Sequence, residues 1–201
     1  MGDASVGQAV AAIRAGKPAV VPTDTVYGLV ADGYREAPAL RLFRLKGRPE
    51  GMPCALLAAD LDAILDAVPE LRGRAAVMAR ALLPSPYTLV LANPARRFRW
   101  LCGGTPTAIG IRVPSLGDAA RSVVERVGVV AATSANLHGG PDARTLADVP
   151  AELLEQAGAA VDGGTLPGTP STVLDLTGSE PRVVREGAGS VEDALRRLRA
   201  V

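Results

Sequence analysis

The chain has 201 residues, of which 48% are hydrophobic, 21% charged and only 3% aromatic. That is enough apolar material for a sizeable core built from Ala, Val, Leu and Ile, and it excludes wholesale disorder. With 22 basic and 21 acidic residues the net charge is +1, which excludes nucleic-acid binding by bulk charge and leaves room only for a local basic pocket.

Val6, Ala9, Val10 and Ile13 fall at helical spacing, and Gly16 supplies a stop. Residues 18–22 read as a short buried strand and 27–32 as a second apolar run. Residues 36–45 place Ala39, Leu42, Phe43 and Leu45 on one helical face. A strand is expected at 54–58, then helix over 60–83 with a break at Val68-Pro69. Strands at 87–91 and 108–113, a helix at 117–127 and a strand at 128–133 follow. The remainder reads as a helix at 146–157, strands at 158–161, 171–176 and 182–185, and a last helix from Val191. Interleaved helices and strands, with two strand-after-strand stretches, predict an α/β (α+β) sandwich around a mixed sheet. No repeat and no long linker is present, so residues 1–201 are expected to form one domain. The Gly/Pro/Thr loop at 162–170 reads as bordering a site rather than as a hinge.

Several chemistries are excluded at once. Cys54, Cys102 and the single histidine His138 lack zinc-site spacing, and the two thiols are expected to be reduced and buried. No apolar run approaches the ~20 residues of a membrane span. The first four residues, from Met1 to Ala4, lack the basic and apolar regions of a secretory signal, so a cytoplasmic protein is expected. There is no Walker A sequence, no GxGxxG after the first strand and no GxSxG elbow. One histidine also argues against a Ser-His-Asp triad.

What remains is polar residues at strand ends. The stretch P-T-D-T-V-Y-G-L at 22–29 follows a buried strand, where hydroxyls and a carboxylate would face a crevice or cap a turn. Lys46, one of two lysines, and Arg48 close a helix. They either complement its dipole or form a lysine-plus-fork clamp for polyphosphate. Arg112, in I-R-V-P, follows a run expected to be buried on both faces. Its charge therefore needs an internal acid or an anionic ligand. A-T-S-A-N at 132–136 precedes Gly139-Gly140, and S-T-V-L-D-L at 171–176 precedes R-E-G at 185–187.

Together with Y-T-L-V-L at 87–91, this ordered series resembles the YrdC-like family of threonylcarbamoyl-AMP synthases over about residues 19–189. The resemblance implies a twisted mixed sheet flanked by helices, with a large positively charged cavity. It implies formation of threonylcarbamoyl-adenylate and pyrophosphate from L-threonine, bicarbonate or carbon dioxide, and ATP. The product would go to proteins that transfer the threonylcarbamoyl group to a tRNA adenosine beside the anticodon. Lys46, Arg48, Ser134 and Asn136 match the family's polar signature and are the implied catalytic set. Lys46, Arg48, Ala132, Ser134 and Arg185 are the implied ATP contacts; Thr25, Arg112 and Thr172 are the implied threonine contacts. Mg²⁺ is expected with ATP, without a protein ligand.

The match has departures: Met52, Leu57, Ala108, His138 and Asp142 stand where many members carry other residues. The chain also stops at Val201, so the extra domain of longer members is not expected. A competing reading is an RNA-binding module without turnover, supported by R-R-F-R-W at 96–100, where basic residues flank aromatics. The bland account of that stretch is a solvated loop with Trp100 packed on the core. A carbamoyl-phosphate-using relative would need zinc-finger cysteines that this chain lacks.

Overall fold

A computed structural model describes residues 2–49 and 51–201; Met1, the first residue of the segment read above as lacking a leader, lies outside the described residues. Helix α1 (Gly2–Arg14) leads into the antiparallel pair β1 (Ala19–Pro22) and β2 (Tyr27–Asp32). Then come α2 (Glu36–Leu45), β3 (Ala55–Leu57), α3 (Leu61–Ala67), α4 (Arg74–Leu82) and β4 (Tyr87–Ala92). The second half runs β5 (Ala108–Arg112), α5 (Asp118–Val127), β6 (Val130–Ser134), α6 (Ala151–Gln156), β7 (Ala159–Ala160), β8 (Thr172–Asp175), β9 (Arg182–Arg185) and α7 (Val191–Arg199). The strands form one mixed nine-stranded sheet in the order β7-β1-β2-β6-β3-β5-β4-β8-β9.

Three expected elements differ. The helix at 146–157 is split into a single 3-10 turn, Leu146–Asp148, and the short α6. Pro150 has no N–H to continue the ladder and pushes Val149 into extended backbone, φ −68° and ψ 126°. The break at Val68-Pro69 widens to the whole stretch between α3 and α4. The strand expected at 158–161 shrinks to two residues against β1.

Each strand sends alternate side chains to opposite faces. On one face Leu29, Leu56, Leu89, Ile109, Ile111 and Leu174 pack under α2, α3, α4 and α7. On the other, Val21, Val30, Leu57 and Val130 pack under α1 and α5 through Val6, Ala9, Val10, Ile13, Ala120, Val123 and Val124. Those two helices cover only the β1-β2-β6 half of the face and the adjacent Leu57. The remainder, across β3, β5, β4, β8 and β9 and reaching Gly28, Val30 and Ala132 of β2 and β6, is the floor of a cavity of about 850 Å³.

This arrangement corrects the expectation for the Arg112 strand. Ile109 and Ile111 are buried in the core, but Ala108, Gly110 and Arg112 line the cavity. Ala and Gly are apolar enough to resemble core in the sequence, yet small enough to floor an open site.

Candidate active site

The floor is deepened by small residues in one row: Ala132, Ala55 and Gly110 are cross-strand neighbours, continued by Val90 and Asp175. Ala132, an expected ATP contact, lines the cavity there.

Lys46 caps α2, and its side chain is buried. Its ammonium donates to the Ser134 carbonyl, to Asn136 Oδ1 at 2.8 Å and to Ser134 Oγ at 3.4 Å. Ser134 Oγ donates to Asn136 Oδ1 at 2.5 Å, and Asn136 Nδ2 donates to the Gly140 carbonyl at 2.6 Å. Three of the four expected catalytic residues thus meet in one network, although Lys46 lies far from the other two in the chain. Burial, then the neighbouring Arg48 charge, push the Lys46 ammonium down to about 8, with Asp142 pulling the other way. Lys46 is therefore a network-held charge rather than the free point charge suggested by sequence.

Arg48 stands beside this network, 5.7 Å above the Phe43 ring. It donates through Nη2 to the Pro53 carbonyl at 2.8 Å and through Nη1 to Thr133 Oγ1 at 3.4 Å. Met52, one of the departures, sits 3.5 Å from Arg48 Nε through its sulfur. Leu57, Ala108 and His138 also line the cavity.

Of the two partners left open for Arg112 by the sequence, the structure shows the internal acid. Asp24 supplies the internal acid: its Oδ1 accepts from Nη2 at 2.6 Å, while its Oδ2 takes the Ser115 N–H at 3.1 Å. The same Nη2 donates to Thr25 Oγ1 at 2.6 Å. Arg112 Nε, however, is buried without any hydrogen-bond partner among the described residues. Arg112 as a residue lines the cavity, while Nε itself is covered by the surrounding protein.

Thr25 and Thr172 sit behind the wall rather than on it, and both are fully buried. Thr25 also bonds Thr23 Oγ1 at 3.0 Å. Thr172 Oγ1 donates to the Gly189 carbonyl at 2.6 Å and accepts the Gly187 N–H at 2.9 Å. Their neighbours Thr23 and Ser171 face the cavity instead. Arg185 lines it from β9 and is tied to the Ser171 carbonyl through Nε at 3.2 Å and Nη2 at 2.7 Å. Of the 162–170 loop only Pro170 lines the cavity; behind the wall Gly168 N–H donates to the Thr25 carbonyl at 2.8 Å, and the Tyr27 hydroxyl donates to Asp162 Oδ1 at 3.0 Å.

Sequence reasoning missed Asp24 as the Arg112 partner, and missed Thr88 and Ser171 as cavity hydroxyls. For Thr88 a signal existed: it is the polar residue at an alternating position of an otherwise apolar strand. The 96–100 stretch follows its bland account. Phe98 is buried, Trp100 packs edge-on to it at 5.9 Å and donates to the Gly33 carbonyl, and Arg97 is forked onto Glu70. Its aromatic rings are used in packing, not displayed for bases. Both cysteines are buried and free. No helix among the described residues is long and apolar enough to cross a membrane.

Comparison with known proteins agrees with this geometry. A threonylcarbamoyl-AMP synthase of Stenotrophomonas maltophilia is 33% identical over 170 residues, spanning 82% of this chain and 89% of that one. The structure of Pyrococcus abyssi Sua5 complexed with L-threonine superposes with a TM-score of 0.87 at 31% identity, covering 96% of this chain and 56% of that one. The structure of Escherichia coli YciO superposes with a TM-score of 0.84 at 29% identity, covering 97% and 94%. The Sua5/YciO/YrdC family, described as "Telomere recombination", matches residues 11–187, and the chain belongs to it.

Proposed function

We propose that this protein is an L-threonylcarbamoyladenylate synthase acting in tRNA threonylcarbamoyladenosine formation, with ATP, L-threonine and bicarbonate as substrates. The observation that carries the reading is the Arg112 guanidinium, a cavity-lining fork held in place by Asp24 and Thr25. The threonine carboxylate is the anion it suits, and the threonine-bound Sua5 relative supports that choice.

The chemistry runs in two balanced steps. The neutral threonine amine attacks the carbon of bicarbonate; a C–N bond forms, and water leaves with the displaced oxygen and protons, giving a carbamate. A carbamate oxygen then attacks the α-phosphorus of ATP, the bond to the β-phosphate oxygen breaks, and pyrophosphate departs with that electron pair. Such a transfer needs positioning and charge neutralisation rather than a protein nucleophile. Arg48 and Arg185 supply forks for phosphate oxygens, and the Lys46–Ser134–Asn136 network fixes the wall beside Arg48. Among the described residues no three His, Cys, Asp or Glu side chains cluster to hold a metal ion. The carboxylate on the wall, Asp175, is committed to Arg182 at 2.7 Å. In this proposal Mg²⁺ enters with ATP as substrate, held by phosphates and water.

Purified protein should release pyrophosphate from ATP only when threonine and bicarbonate are both present. Orthophosphate and ADP as products would refute the reading. The RNA-module alternative gains nothing from the packed aromatics or the net charge of +1.

A further inference from the structure

Thr88 and Ser171 form a hydroxyl pair on the cavity floor that no expected contact uses. Continuing the β4–β5 register of Leu89 opposite Ile111 puts Thr88 opposite Arg112, on the same face, and Thr88 also pairs with Val173 of β8. Thr88 Oγ1 and Ser171 Oγ are 2.8 Å apart. Arg185 Nη2 reaches Ser171 Oγ at 3.3 Å, and Arg185 Nη1 makes no hydrogen bond among the described residues. Two hydroxyls carry two hydrogens; their mutual bond uses one and leaves one to donate. Arg185 depresses the proton affinity of both Arg112 and Arg48, so it stands within electrostatic reach of each. Three like charges converging on one cavity favour anionic occupants, and more than one of them.

We infer that the Thr88–Ser171 hydroxyl pair, held beside Arg185 and opposite Arg112 in the strand register, is the subsite for the small planar oxyanion of the reaction: bicarbonate on arrival, and the carbamate it becomes. The inference rests on the synthase reading above. It places the carbon source between the group that suits the threonine carboxylate and the arginine nearest the phosphate side, which is where the carbamate oxygen must stand to attack.

Thr88→Val keeps a β-branched strand residue and removes only the hydroxyl. The KM for bicarbonate should rise by about tenfold or more, with those for threonine and ATP moving less than about twofold. Thr88→Ser, which retains the hydroxyl, should restore the bicarbonate KM. Nitrate, an inert planar oxyanion, should raise the melting temperature of the wild type above that in equal chloride, and should fail to do so in Thr88→Val. An unchanged bicarbonate KM in Thr88→Val overturns the inference, and so does equal nitrate stabilisation of both proteins. Wild type that makes no pyrophosphate from the three substrates would overturn the synthase reading instead. The nitrate melting shift tests the subsite independently of turnover.

Discussion

At the scale of single residues, the proposed reading has the Arg112 charge serve fold and substrate together. Its Nη2 edge is committed to Asp24 and Thr25, and its Nε edge is not. Arg112→Ala would leave the half-buried Asp24 carboxylate with only the Ser115 N–H, and would report mainly on folding. Arg112→Lys is more informative, because an ammonium can still meet Asp24 but cannot also present a second edge. The KM for threonine should rise by about tenfold or more, given about 1.5–3 kcal/mol for a charged hydrogen bond, while the KM for ATP moves far less. If both KM values moved together with a lowered melting temperature, Arg112 would be only a structural partner of Asp24. Lys46 allows a pH test. Its ammonium lies at about 8 in the folded chain, against about 10.4 in an unfolded one. Between those values the unfolded state binds more protons, so the Lys46 contribution makes stability rise with pH across that window. The charged form is the strained one, and deprotonation relieves it. The melting temperature of wild type relative to Lys46→Met should climb from pH 8 to pH 10; a flat or falling difference would show that burial does not depress this ammonium.

At the scale of elements, much of the chain was legible, since periodicity and turn residues placed most helices and strands within a residue or two. The misses have local causes. Pro150 divides a helix whose apolar spacing, Leu146, Leu153 and Leu154, looks continuous in sequence. Ala108 and Gly110 look like core because a cavity floor and a core share small apolar residues. Thr25 and Thr172 carry motif hydroxyls, yet only tertiary structure shows them turned behind the wall to bind Arg112 and the Gly189 carbonyl. The R-E-G segment gives a test at this scale. A Cβ on Gly187 would lie 2.2 Å from the Pro170 carbonyl oxygen, so only glycine lets the chain after β9 lie against residues 170–172. Gly187→Ala should shift that segment, loosen Arg185 from Ser171, raise the KM for ATP and lower the melting temperature. Gly7, inside α1 with nothing within 4 Å of its Cβ position, is the counterexample. Gly7→Ala should raise stability by about 0.5–1 kcal/mol in denaturant unfolding. If Gly187→Ala behaved like Gly7→Ala, the close approach would not matter to the site.

At the scale of the whole molecule, the decisive feature is incomplete cover. Helices α1 and α5 bury one half of a sheet face and leave the other half open, and the strand order makes that open half a meeting point for residues remote in sequence. Thr88 and Ser171, or Lys46 and Asn136, meet only because β4 pairs with β8 and because α2 ends beside the end of β6. No local pattern encodes such pairings, which is why the motifs were visible but their contacts were not. The same architecture reconciles a net charge of +1 with a cavity whose wall carries Lys46, Arg48, Arg112, Arg182 and Arg185. Charge here is placed, not accumulated. The most direct measurement of the central claim is the mass of the nucleotide formed from ATP, threonine and ¹³C-labelled bicarbonate. The account predicts threonylcarbamoyl-AMP one mass unit heavier than the unlabelled product, with an equal amount of pyrophosphate. A nucleotide product without the label, whether AMP or ADP, would contradict it.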